Sequence, residues 1–145
     1  MNENNELLQL IYENANMGAK SLTNLLNDIK DKDNKVKKIV SEEIKSYEKI
    51  FLSAEKLLKK NKVEPKGKGI IADVMSSMGI KNEVSKDNSD SAIAEMIIEG
   101  FTMGNLEISK TLNNYKENAD KKIVDLANKL LAFGNDEIEK LKKFI

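Results

Sequence analysis

Apolar residues recur at steps of three and four in four long stretches of this sequence, and this periodicity limits the fold more than any other feature. Each stripe is the pattern of a helix that buries one face against a common core. The stripes predict helices over about 4–30, 34–61, 90–116 and 119–144, in a single domain that spans 1–145. An all-β fold would show more aromatic residues and frequent turn signals, and this sequence shows neither.

The connections between the stripes predict how the helices run. Short polar clusters separate the first helix from the second and the third from the fourth, with Asp33 and Asn118 as predicted N-caps. Such short connections make neighbouring helices antiparallel. The crossover at 62–89 is long enough to carry the chain back along the whole bundle. Its apolar residues over 70–78 predict a short helix packed on the bundle, with a partly disordered loop as the alternative.

Composition excludes several classes of chemistry. The chain has no cysteine and no histidine, which removes thiolate metal sites, cysteine nucleophiles and imidazole bases and argues against an enzyme. All 24 basic residues are lysine, and they balance 24 acidic residues. Without arginine or a basic excess, we expect no nucleic-acid partner. No apolar run is long enough for a membrane span and no secretion signal opens the chain, so the cytoplasm is the predicted location.

The sequence also contains a weak internal repeat. When the chain is shifted by 86 residues, residues 11–31 align with 97–117 and seven of 21 positions are identical. We interpret the first and third helices as equivalents in a duplicated hairpin. Among the identities is the pair Gly18 and Gly104, and glycine inside a helix costs about 1 kcal/mol relative to alanine. The simplest explanation is that the two helices pack backbone to backbone there, and room for a ligand is the alternative.

Two segments, SEEIKSYEKI at 41–50 and GNDEIEKLKKFI at 134–145, resemble those that carry Glu-x-x-His in the second and fourth helices of the ferritin-like superfamily. IYENANMG at 11–18, EGFTMG at 99–104 and the terminal IEKLKKFI are similar to a family of short bacterial proteins of this type. The resemblance covers essentially the whole chain. It implies a ferritin-like antiparallel four-helix bundle and carries no activity with it.

The chain departs from the ferritin-like metal site at most positions. A di-iron site takes carboxylates from two helices and Glu-x-x-His from the other two. Glu43 matches one motif glutamate, but Ser46 stands in place of its histidine. In the fourth helix Gly134 replaces the glutamate and Glu137 replaces the histidine. The resemblance therefore implies a degenerate site rather than a di-iron enzyme.

Glu43 and Glu137 are the only metal-ligand candidates. Both lie on core-facing stripes and at a similar level of the bundle, so they are predicted to meet. Two buried carboxylates raise each other's pKa or hold a cation, and oxygen ligands suit a weakly bound Mg²⁺, Ca²⁺ or Mn²⁺. The alternative is that they tilt outward, bond to a tyrosine or pair with lysine. No other cofactor is expected.

A strip of apolar residues lies beside the core stripes of helices one and three, at Leu10, Met17, Met96 and Met103. Either the 70–78 segment covers this strip, or the strip forms a homodimer interface in which methionine adapts to its partner. The sequence thus predicts a non-enzymatic structural or interaction protein. Binding of a divalent metal or small ligand through Glu43 and Glu137 is the alternative function.

Overall fold

The computed structural model describes residues 2–65, 89–115 and 117–145. The short helix predicted over 70–78 lies outside these residues. In the described parts every regular element is helical and no strand is present, which confirms the all-α prediction. None of the helices among these residues has the length and apolar character that a membrane span requires.

Four α-helices and one terminal 3₁₀ turn make up the described structure. They are α1 (Glu3–Asp28), α2 (Lys37–Lys60), α3 (Asp90–Tyr115), α4 (Lys121–Leu141) and the 3₁₀ turn Lys142–Phe144. The predicted stripes form the core, as in the first hairpin, where Leu8, Ile11, Ala15, Leu22 and Leu25 of α1 and Ile29 just after it are all buried.

Side-chain hydrogen bonds between helix ends give the direction of each helix. At one end of the bundle, the Asn61 amide after α2 donates to Asn5 in the first turn of α1 (3.1 Å), so α1 and α2 are antiparallel. At the same end the Tyr115 hydroxyl, at the close of α3, donates to Glu6 of α1 (2.6 Å). The Asp120 backbone N–H, just before α4, donates to Asn4 (2.6 Å). Helix α1 is therefore antiparallel to α3 and parallel to α4.

The opposite end of the bundle is held by Asp90, the first residue of α3. Its carboxylate accepts hydrogen bonds from the Asn34 side chain (2.9 Å) and the Lys35 backbone N–H (3.0 Å), just before α2. Helix α2 ends at the far end of the bundle from this point, and α2 and α3 are thus parallel.

The two N-caps predicted from sequence are wrong. Helix α2 starts at Lys37 without a side-chain cap of its own, so Asp33 does not cap it. Asn118 likewise does not cap α4, whose N-cap position is Asp120, and its amide donates instead to Glu3 on α1 (3.2 Å). In both connections the side chain that accepts a hydrogen bond from the backbone before the helix belongs to the other hairpin.

Side chains lie nearest to Gly18 and Gly104, in contrast to the predicted backbone-to-backbone packing. The ring of Tyr47, from α2, occupies the space next to Gly18. Gly104 faces α1, but it does so at Asn14, whose Nδ2 would lie 2.8 Å from a Cβ added at 104. Each glycine makes room for a side chain, and the two side chains come from different helices.

Candidate functional site

Glu43 and Glu137 meet in the core, where the sequence predicted them. Glu43 lies on α2 and is fully buried (0 % exposed), and Glu137 lies on α4 and is 7 % exposed. Glu137 lies close enough to Glu43 to raise the pKa of the Glu43 carboxyl. Both are held there by apolar neighbours on their own stripes, since each stripe must turn inward as a whole.

Burial, together with the neighbouring Glu137 carboxyl, raises the pKa of Glu43 to about 9. No N–H or O–H of the described residues donates to either oxygen of Glu43. A carboxyl with a pKa of about 9 keeps its proton at neutral pH, so Glu43 is neutral there. The Oε2 atom of Glu137 accepts a hydrogen bond from the Lys140 ammonium at 3.0 Å.

One turn along α2 from Glu43, Tyr47 joins an aromatic cluster. Its ring stacks on Phe101 with centroids 5.5 Å apart and meets the edge of Phe133 at 5.0 Å. Burial, together with the nearby charges of Glu43 and Glu137, raises the pKa of Tyr47, so its hydroxyl stays neutral. Tyr47, Phe101 and Phe133 come from α2, α3 and α4, so the cluster joins three helices.

The carboxyl pair offers few ligands for a metal ion. In the described parts of the chain no three side chains of aspartate, glutamate, histidine or cysteine come together. At position 134, where the ferritin-like motif has a glutamate, the amide of Asn105 fills the space beside the glycine. A cation at Glu43 would have to displace the Glu43 proton and compete with Lys140 for Glu137. The predicted metal site stays a prediction with at most two carboxylate ligands among these residues.

A groove of about 450 Å³ runs along the surface between α1 and α3, and we call it the α1/α3 groove. All four residues of the predicted apolar strip line it: Leu10, Met17, Met96 and Met103. Met103 is 72 % exposed and Met17 is 37 % exposed, which is high for methionine beside a core. The structure thus brings the strip together on one face.

The charged residues that line the groove, among those that the structure describes, are all acidic. Glu13 and Glu107 line it, and no lysine is found among its described lining residues. The Gln9 amide holds the Glu13 carboxylate with a hydrogen bond of 3.0 Å. Gly100 also lines the groove, and a Cβ added there would meet no atom within 4 Å. The groove is therefore an apolar surface with acidic side chains and an open space at Gly100.

Comparison with known proteins adds no assignment. No family model matches the chain, and no match was found among curated proteins or solved structures.

Proposed function

We propose that this chain is a non-enzymatic interaction protein of the cytoplasm, built on a ferritin-like frame with a degenerate metal site. The α1/α3 groove is its binding surface. The observation that carries the proposal is the wide apolar face of the groove, with methionines on both helices and 72 % of Met103 exposed. Flexible, exposed methionine is typical of surfaces that bind apolar partner helices. The up-down-down-up order of the helices supports the ferritin-like frame.

The accessibility of the groove is tested with Nile red, a neutral dye that fluoresces when it binds apolar surface. The native protein should bind the dye, and Gly100→Leu should reduce the signal because the new side chain enters open space in the groove. Leu52→Lys is the matched control, since Leu52 is 58 % exposed on α2 and does not line the groove. Absence of dye binding, or equal loss in both variants, would contradict the proposal.

A homodimer through Leu10, Met17, Met96 and Met103 is one form of this function. Two copies of a chain with zero net charge do not repel each other overall. Light scattering at micromolar concentration measures the mass directly. A dimer that Met103→Lys dissociates and Leu52→Lys does not would support this form, and a monomer mass for the native chain would eliminate it.

Divalent-cation binding by Glu43 and Glu137 is the second candidate function. It is favoured by the two buried Glu43 oxygens that no described donor reaches. Protein purified without chelator should then contain a bound ion by metal analysis, and added Mn²⁺ should raise the melting temperature. Glu43→Gln should abolish that increase, whereas Glu42→Gln, at the exposed neighbouring position, should not. No bound ion and no change in melting would end this candidate.

A further inference from the structure

We propose that the α1/α3 groove binds an amphipathic helix of another protein, one that carries lysine or arginine beside its apolar stripe. The inference rests on the proposed function and supplies the chemistry of the partner. Three features of the groove lead to it: its length, its apolar walls and its charge.

The length of the groove suits a short helix. Along α1 it extends from Leu10 to Leu25, and along α3 it extends from Met96 to Glu107. At 1.5 Å per residue these stretches span about 22 Å and about 16 Å. A helix of three to four turns would lie along the whole groove, and its anchors would recur at steps of three and four.

The walls suit the apolar face of such a helix. Met17 and Met103 stand on opposite helices, and their unbranched side chains can adjust to a stripe of leucine or isoleucine. Between them, Gly100 leaves the backbone of α3 uncovered, so one partner side chain can reach it. The apolar stripe of a partner helix can therefore pack on Met17 and Met103 while one of its side chains enters the recess at Gly100.

The charge of the groove determines which charged residues the partner helix should carry beside its apolar stripe. Glu13 and Glu107 line it without a lysine among the described lining residues, so the complementary helix is basic. A second copy bound by two-fold symmetry would bring the same face, and hence the same carboxylates, to both sides of the contact. Like charges across an interface oppose binding, so a basic helix of another protein fits this groove better than a second copy.

Two synthetic helical peptides of 14 residues test the proposal. They share one leucine stripe, and one carries lysine at the flanking positions where the other carries glutamate. In fluorescence anisotropy at low salt, the lysine peptide should bind about tenfold or more tightly than the glutamate peptide, since each exposed ion pair contributes up to about fivefold. Glu13→Gln with Glu107→Gln should remove most of this difference.

Two controls separate groove binding from general attraction to lysine. Glu48→Gln with Glu117→Gln makes the same change in net charge at exposed positions outside the groove, and it should leave the preference intact. Gly100→Leu should weaken binding of the lysine peptide while circular dichroism shows an unchanged helix content. Equal affinity for the two peptides, or equal effects of the two glutamate pairs, would overturn the inference.

Failure of this inference is distinguishable from failure of the proposed function. If the native chain binds Nile red in the groove but does not prefer the lysine peptide, only the basic partner is refuted. The same holds if the native chain is a dimer that Met103→Lys dissociates. If neither the dye nor either peptide binds, the groove is not a binding surface and both proposals fail.

Discussion

Alanine at two glycines of the same groove should change stability in opposite directions. At Gly18 an added Cβ would lie within 2.8 Å of three ring carbons of Tyr47. At Gly100 an added Cβ would meet no atom within 4 Å. Both positions lie inside helices, so the gain in helix propensity is the same for the two substitutions and only the steric term differs.

The size of each change in stability follows from the atoms around the added Cβ. Replacing an interior helical glycine by alanine without a clash stabilises by about 0.5–1 kcal/mol, which is the value expected for Gly100→Ala. At Gly18 the ring cannot simply swing away, because Tyr47 is 7 % exposed and is packed against Phe101 and Phe133. Overpacking of this kind costs about 1–3 kcal/mol. After the propensity gain is subtracted, Gly18→Ala should destabilise by up to about 2.5 kcal/mol.

Urea denaturation followed by circular dichroism at neutral pH measures both effects. A double-mutant cycle isolates the steric part, because in a Tyr47→Leu background the ring is gone and Gly18→Ala should no longer destabilise. If Gly18→Ala stabilises the native chain as much as Gly100→Ala does, the packing of Tyr47 against Gly18 is refuted.

Two further predictions concern ionisable side chains. The pKa of Glu43 is about 9 in the folded chain and near 4.5 in the unfolded chain. Between these two pH values the folded chain binds more protons than the unfolded chain, so the free energy of unfolding falls as pH rises. The slope is at most about 1.4 kcal/mol per pH unit. Glu43→Gln should therefore flatten the pH profile of urea stability and stabilise the protein above pH 7, and a profile parallel to that of Glu42→Gln would contradict this. Asp90→Ala should lower the free energy of unfolding by about 1–2 kcal/mol, because the Lys35 N–H and the Asn34 amide lose their acceptor. Asp90→Asn keeps one acceptor oxygen and should lower the free energy of unfolding by less. Equal losses of stability in the two variants would argue against the hydrogen bonds of Asp90 with Asn34 and Lys35.

Much of the fold could be predicted because its signals are local in sequence. Steps of three and four fix which face of each helix is buried, and this placed Glu43 and Glu137 in the core with no knowledge of their neighbours. The same periodicity placed Met17 and Met103 outside the core stripes, on the face where the groove lies.

The connections were harder to predict because the groups that satisfy them are distant in sequence. Asp33 has the right residue type and position for a local N-cap, yet Asp90 binds the backbone before α2 from the next hairpin. The ion pair of Glu137 with Lys140 is local in sequence, but that pair does not show that Glu43 keeps its proton at neutral pH. That outcome depends on the complete burial of Glu43, which the packing of all the helices determines.

The glycines show why a repeat in sequence does not predict a repeat in structure. The shift of 86 residues that pairs Gly18 with Gly104 also pairs Asn14 with Gly100. The Asn14 side chain fills the space beside Gly104, but the position related to Asn14 carries no side chain, and there the surface stays open. The recess in the groove thus comes from a position at which the two helices differ. Gly100→Asn would place the same amide at the related position, so it should narrow the groove while keeping the helix intact.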